Sequence, residues 1–267
     1  MGLGTSIRLS RLFSHKSGNL FGAAVDHFVG YGDVRQGGLA NLPSAIEKIM
    51  RETPDSMTTQ VGTARHIWPQ YAGKSALIIQ AGCWVPDDRI SQLVSSPEAA
   101  VRYGADALAV AIPVRGETEG GYIQWLADSV EAAAKFEMPI VAHIYPRDYT
   151  DGVKIVFTPE EIAYAVRIGI ETGVDVIKVG YPGDFEAFKS IISSCPVPIV
   201  IAGGPKTETL HGALAQTYDA MRAGAKGAVV GRNLWGAPDP SKAAKAFKAV
   251  IHDGFDADAA LDAAGLK

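Results

Sequence analysis

Short apolar runs recur along the whole chain, at residues 21–25, 56–61, 76–80, 107–112, 140–144, 174–179, 199–202 and 227–230, each bounded by Gly, Pro, Asp or Ser. Helical patterns fill the intervals, at 43–51, 86–103 in pieces, 122–135, 159–172, 185–193 and 209–222. Several of these open on Thr, Ser or Pro suited to a first turn. The stretch 63–74 shows no clear helical period and predicts only a short turn or two. Because the runs are continuous rather than alternating, both faces of each strand must be covered, which points to a parallel sheet with helices outside it. A closed (β/α)8 TIM barrel of the α/β class is the economical arrangement. The rival, an open doubly wound sheet, lacks its Gly-x-Gly-x-x-Gly turn after the first run, where Asp26-His27-Phe28-Val29-Gly30 stands instead. With no Pro/Ser-rich linker, low-complexity tract or strong repeat, residues 1–267 are expected to form one domain, with a helical extension over 241–267.

Composition narrows the function classes. At 267 residues and 47% hydrophobic, the chain has material for a large core. Its 25 Lys+Arg are outnumbered by 29 Asp+Glu, so it has no basic footprint for nucleic acid. No apolar run is long enough to span a bilayer, and no membrane role is expected. Cys83 and Cys195 are far apart and match no metal-ligand spacing, which suits a reducing, cytoplasmic compartment. Met1-Gly2 with Ser6 fits a loose myristoylation pattern, too short to carry weight.

In a barrel the chemistry belongs at the carboxyl ends of the strands. Asp26 and His27 end the first run, His143 and Tyr145 the fifth, and Lys178 lies in the sixth. Gly203-Gly204 follow the seventh and Gly231-Arg232 the eighth. Lys178 interrupts the otherwise apolar Val176-Ile177-Lys178-Val179, where burial disfavours a charged, unpaired ammonium and so lowers its pKa. A neutral amine there can attack a ketone; the alternative is a strand-end lysine paired with Asp26 or Asp184. Asp26 is a proton carrier or a turn residue, Tyr145 a proton donor or a packed phenol, and His143 a carbonyl polariser or a hydrogen-bonded core histidine. Two glycine turns at consecutive strand ends, with Arg232 beside them, mark the usual barrel position for a phosphate. The loop 115–121 reads as a mobile cover or a solvated connection, and His66, Trp68, Trp84 and Arg89 as pocket or subunit contacts. No His/Cys cluster suggests a metal.

Taken together, Asp-His at 26–27, Tyr-Pro-Arg at 145–147, Ile-Lys-Val-Gly-Tyr-Pro-Gly-Asp at 177–184, Gly-Gly-Pro-Lys-Thr at 203–207 and Gly-Arg-Asn-Leu-Trp at 231–235 resemble the archaeal-type class I fructose-bisphosphate aldolase family. The resemblance covers nearly the whole chain. That family also contains the autoinducer-2 phosphate thiolase and the archaeal aromatic-biosynthesis transaldolase. The resemblance implies a metal-independent lyase with no cofactor beyond a covalent imine on Lys178, with Asp26 and Tyr145 as its catalytic partners; His143 joins the catalytic set from its place at the end of the fifth run. It implies Gly203, Gly204, Gly231 and Arg232 as phosphate contacts, His27 beside them, and Arg147 near the distal end of the substrate. It also implies a homo-oligomer, a decamer by family analogy. His143 stands where the sugar-bisphosphate members tend to carry Trp, and Phe28 where Gly is usual. Those departures favour a related ketose, singly phosphorylated or with another anionic terminus.

Three activities follow from these residues. The first is imine-based carbon–carbon cleavage or formation in a phosphorylated ketose. The second is thiolase-like acyl transfer from a phosphorylated diketone to coenzyme A. The third, of another class, is non-catalytic sugar-phosphate binding.

Overall fold

A computed structural model describes residues 2–84, 91–204 and 207–266. Eight strands form the barrel: β1 (Leu20–Ala24), β2 (Ser56–Thr59), β3 (Ala76–Gln80), β4 (Ala107–Val114), β5 (Ile140–Asp148), β6 (Val176–Val179), β7 (Ile199–Ala202) and β8 (Gly227–Val230). All pair in parallel in the order β4-β3-β2-β1-β8-β7-β6-β5, and β4 pairs with β5 to close the ring. Strands about 200 residues apart in sequence meet where Leu20 stands opposite Gly227 and Phe21 opposite Ala228.

Alternate residues face the lumen, where Ile78, Ala109, Val141, Val176, Val200 and Val229 pack together. The same alternation turns the residues two positions further along β3, β5 and β6 inward as well. These are Gln80, His143 and Lys178, and all three are buried. The strands' other faces pack against the surrounding helices. The helix Pro159–Thr172 shows why these form: Thr158 accepts from Glu161 N as N-cap, Pro159 occupies the first turn, and Gly173 at φ 77° ends it. Its buried side, including Ile162, Ala165 and Val166, lies on the sheet.

Several expectations change in detail. A helix at Leu3–Leu12, unanticipated in the sequence, covers the amino-terminal mouth of the barrel: Leu12 is fully buried against the lumen cluster, with Leu9 and Phe13 beside it. The fifth strand runs past residue 144 to Asp148, although Pro146 reads as a breaker. Pro146 stays in the strand because it needs to supply only its carbonyl, which accepts from Val156 N at 3.0 Å. In the segment expected to be helical over 86–103, Gly82–Trp84 pairs antiparallel with Ser91–Leu93, residues 85–90 lie outside the described residues, and the helix is confined to Pro97–Arg102 behind the Ser96 cap. The helix expected from 122 begins at Glu119. The C-terminal extension forms helices at Pro240–Lys248 and Ala257–Ala263 and folds back on the barrel, Lys248 donating to Glu52 O at 2.8 Å. Among the described residues no helix is long and apolar enough to cross a membrane.

Candidate active site

The inward residues of β5 and β6 lie side by side at the carboxyl end of the barrel, because His143 stands opposite Lys178 in the ladder. Tyr145 and Lys178 line a cavity together with His27, Gly203, Gly204, Gly231 and Arg232. The cavity encloses ≈ 40 Å³, and Ile155 and Phe157 also line it, from the short segment that folds back along β5 through Arg147↔Ile155. A larger cavity of ≈ 520 Å³, lined by Arg11, Asp55, Lys74 and Asp106, contains none of these groups. It lies under the opposite, amino-terminal mouth.

Lys178 is 6% exposed and makes no hydrogen bond or ion pair among the described residues. Burial lowers its pKa to about 8; the Asp26 carboxylate opposes that shift and the Arg232 guanidinium adds to it. Of the two partners considered from the sequence, Asp26 acts on the amine through its charge and not through an ion pair among the described residues. Asp184, its other suggested partner, instead caps the helix Phe185–Ser193 by accepting from Ala187 N at 3.0 Å.

Asp26 is held from two sides. Gln80 Nε2 donates to its Oδ2 at 2.8 Å, and Gln60 Nε2 donates to its backbone oxygen at 3.2 Å. Gln80 is itself fixed by accepting from Gly82 N at 3.2 Å. His27 Nδ1 lies 3.5 Å from Asp26 Oδ1. Burial, ahead of the opposing Asp26 charge, brings the His27 pKa down to about 4, so the ring is neutral near pH 7. Burial, reinforced by Lys178 and His27, also holds His143 well below the ordinary histidine range. The amine thus faces two uncharged imidazoles.

The β7 and β8 ends form one structure. Gly204 takes φ +67°, a conformation that favours glycine, and a Cβ on Gly231 would lie 2.3 Å from His27 Cε1. Only glycine at 231 lets His27 lie against the turn. Trp235 supports the same ring, edge-on at 5.4 Å, and donates through Nε1 to Ala24 O at 3.2 Å. Pro205 and Lys206 of the Gly-Gly-Pro-Lys-Thr motif lie outside the described residues.

Arg147 is not brought into the cavity. It is 2% exposed, donates to Arg115 O at 2.6 Å and Thr118 Oγ1 at 2.9 Å, and lies over the rings of Tyr122 and Tyr149. Nor is the 115–121 loop a loose cover: Arg115 pairs with Glu161 at 2.8 Å, its backbone N donates to Glu119, and Tyr164 donates to Glu119 at 2.7 Å. Gly120 and Gly121, which suggested a loop, are in the first turn of a helix. His66 is exposed, Trp68 is buried against Tyr71, and Arg89 lies outside the described residues. Gln80 and Asn233 are the neighbours that sequence reasoning missed. Among the described residues no group of three His, Cys, Asp or Glu is placed to hold a metal ion.

Known aldolases resemble this chain in sequence and in fold. The model of the DeoC/LacD family of aldolases matches residues 21–237. The chain is 32% identical over 265 residues to the 2-amino-4,5-dihydroxy-6-oxo-7-(phosphonooxy)heptanoate synthase of Streptomyces griseus, covering 97% of this chain and 94% of that protein. It is 32% identical over 253 residues to the class 1 fructose-bisphosphate aldolase of Thermoproteus tenax, covering 91% and 93% respectively. The crystal structure of an archaeal fructose 1,6-bisphosphate aldolase superposes with a TM-score of 0.81 at 31% identity, covering 93% of this chain and 99% of that one. Another archaeal aldolase structure, with its catalytic lysine covalently bound to the carbinolamine intermediate, superposes at 0.80 with 31% identity, over 93% and 99% of the two chains. The chain belongs to the DeoC/LacD aldolase family.

Proposed function

We propose that this protein is a class I aldolase acting on a phosphorylated ketose, with Lys178 as its imine-forming residue. The observation that carries the reading is a buried amine with a pKa of about 8, in one cavity with two glycine turns and Arg232. Neutral Nζ adds to the ketone carbon and the oxygen takes up a proton, giving the carbinolamine. Tyr145 then protonates the departing hydroxyl, which leaves as water. The bond between the α and β carbons then breaks, its electron pair forming the enamine double bond toward the iminium carbon, while Asp26 takes the proton from the β-hydroxyl that becomes the aldehyde. The enamine left behind is protonated and hydrolysed, restoring the lysine. In this scheme the imine is the electron sink and no cofactor takes part.

The phosphate belongs at the two turns formed by Gly203, Gly204, Gly231 and Arg232, where the Gly204 N–H and the Arg232 guanidinium can reach it, the Gly203 N–H being used by Val229 O at 3.1 Å. The cavity is narrow, and Ile155 and Phe157 form its wall on the side of the segment folded back along β5. His143, neutral and next to the amine, is suited to bond a substrate hydroxyl. Arg147 is engaged with the 115–118 loop, which favours a substrate carrying a single phosphate in the glycine turns. The Streptomyces griseus relative's name likewise carries one phosphonooxy group. The absence of a cationic footprint and the use of cysteine suit a cytoplasmic enzyme, and a homo-oligomer is the expectation taken from the family, measurable by sedimentation.

The test is borohydride reduction in the presence of ketose phosphates. Inactivation with the mass of the reduced adduct on Lys178 is expected, and Lys178→Ala should lose activity by at least about 1,000-fold. A Lys178→Ala variant that retains turnover overturns the reading. A product that forms only when coenzyme A is added would redirect it to acyl transfer.

A further inference from the structure

Asn233 follows Arg232 at the end of β8 and does not line the cavity, yet its amide reaches the other glycine turn. Its Nδ2 donates to Gly203 O at 2.8 Å and its Oδ1 accepts from Thr207 N at 3.0 Å, while the Thr207 hydroxyl, 3.1 Å from Oδ1, gives its one proton to Thr209 O at 2.7 Å. A carboxamide is among the few side chains that donate and accept at once, and here it uses both functions at the two ends of residues 203–207. Asn233 is 5% exposed, so these bonds form away from competing water.

The bond to Gly203 O also sets a direction. A trans peptide is planar, with its C=O and N–H pointing opposite ways. Holding the Gly203 carbonyl on Asn233 therefore turns the Gly204 N–H away from Asn233, and Gly204 is a cavity residue. That N–H donates to no acceptor among the described residues. The peptide has glycine on both sides, one of them at φ +67°, and is easily rotated. Without the bond to Asn233 its carbonyl oxygen can swing toward an anion and repel it.

We propose that Asn233 is a positioning residue for the anion subsite, aiming the Gly204 N–H at the phosphate of the ketose. The proposal rests on the functional reading above and assigns a role to a side chain that need not touch substrate. It separates two effects that a structural role would keep together: recognition of the phosphate, and condensation of Lys178 with a carbonyl.

The experiment measures borohydride-dependent inactivation by dihydroxyacetone phosphate and by unphosphorylated dihydroxyacetone, with inorganic phosphate as protecting anion. For Asn233→Ala, the half-inactivating concentration of the phosphorylated ketone and the protecting concentration of phosphate should each rise roughly tenfold, the worth of one hydrogen bond to a charged group. The value for dihydroxyacetone should stay within about twofold. Equal shifts for both ketones, or no shift for either, overturn the proposal. If Asn233→Ala does not fold, Asn233→Leu keeps the buried volume while losing the bond to Gly203 O and should move only the phosphorylated ketone, again roughly tenfold; no such shift overturns the proposal. Wild-type protein that fails to trap any ketone on Lys178, or that phosphate does not protect, overturns the functional reading itself and this role with it.

Discussion

Two charges act on the ammonium of Lys178 in opposite directions. Asp26 stabilises it and Arg232 destabilises it, both against a larger cost of burial. Neutralising either charge should therefore move the pH midpoint of imine trapping with opposite sign: Asp26→Asn to below the wild-type value of about 8, and Arg232→Gln to above it. Each shift is expected to be roughly one pH unit, read from the midpoint of the borohydride-trapping rate rather than its amplitude. Shifts in the same direction would show that neither charge acts on the amine as described. Lys178 was legible in the sequence because a cation within an apolar run has few explanations. Gln80 was not, because a glutamine at the end of such a run looks like any strand terminus, and its partner Asp26 is 54 residues away. Asn233 was hidden for the same reason, its partners lying 26 and 30 residues earlier.

The neutral histidines have a consequence for stability. His27 and His143 have folded pKa values below the ordinary 6.5, so between that value and the folded one the unfolded chain binds protons that the folded chain does not. Their contribution is therefore fully present above pH 6.5 and is lost as the pH falls below it, for His27 down to about 4. Urea midpoints should drop from pH 7 to pH 5, and His143→Gln should drop less than wild type over that interval. An equal drop in the two proteins would exclude His143 as a source of the acid sensitivity.

At the scale of elements, the barrel's two ends are built differently. The carboxyl end is held by polar side chains that cross between turns, while the amino end is covered by the helix Leu3–Leu12, which buries Leu12 on the lumen cluster and pairs Arg11 with Asp106 at 2.9 Å. That helix escaped prediction because its sequence, rich in Arg and Ser, buries only Leu12 among its own residues, while Leu3 and Ile7 are exposed. The strands and most helices were legible because their periodicity is local. The extension of β5 was not, since its continuation depends on β4 pairing as far as Val114↔Pro146. Because Leu12 is fully buried against the lumen cluster, Leu12→Ala should cost about 3 kcal/mol in urea denaturation. Borohydride trapping at pH 7 should remain within about twofold of wild type, as the helix touches no group at the other mouth. A loss of trapping that matches the loss of stability would mean that the two ends are coupled through the lumen.

At the scale of the molecule, closure decides how the chain unfolds. β1 gains its second neighbour only when β8 arrives from the far end of the sequence, and β4 and β5 pair along seven consecutive positions to complete the ring. Removing any strand would expose two edges and open the lumen cluster to water. The chain's four tryptophans include Trp68 beside Tyr71, Trp125 on the helix Glu119–Ala134 and Trp235 under the β8 turn, so fluorescence samples separate arcs of the ring. Far-UV circular dichroism samples all of it. If residues 1–267 are one cooperative domain, fluorescence, circular dichroism and imine trapping should lose signal at a common urea concentration, within about 0.2 M. Successive transitions, with trapping lost while helicity persists, would show that the carboxyl-end turns unfold as a separate unit. Ring closure would then not be what holds the site.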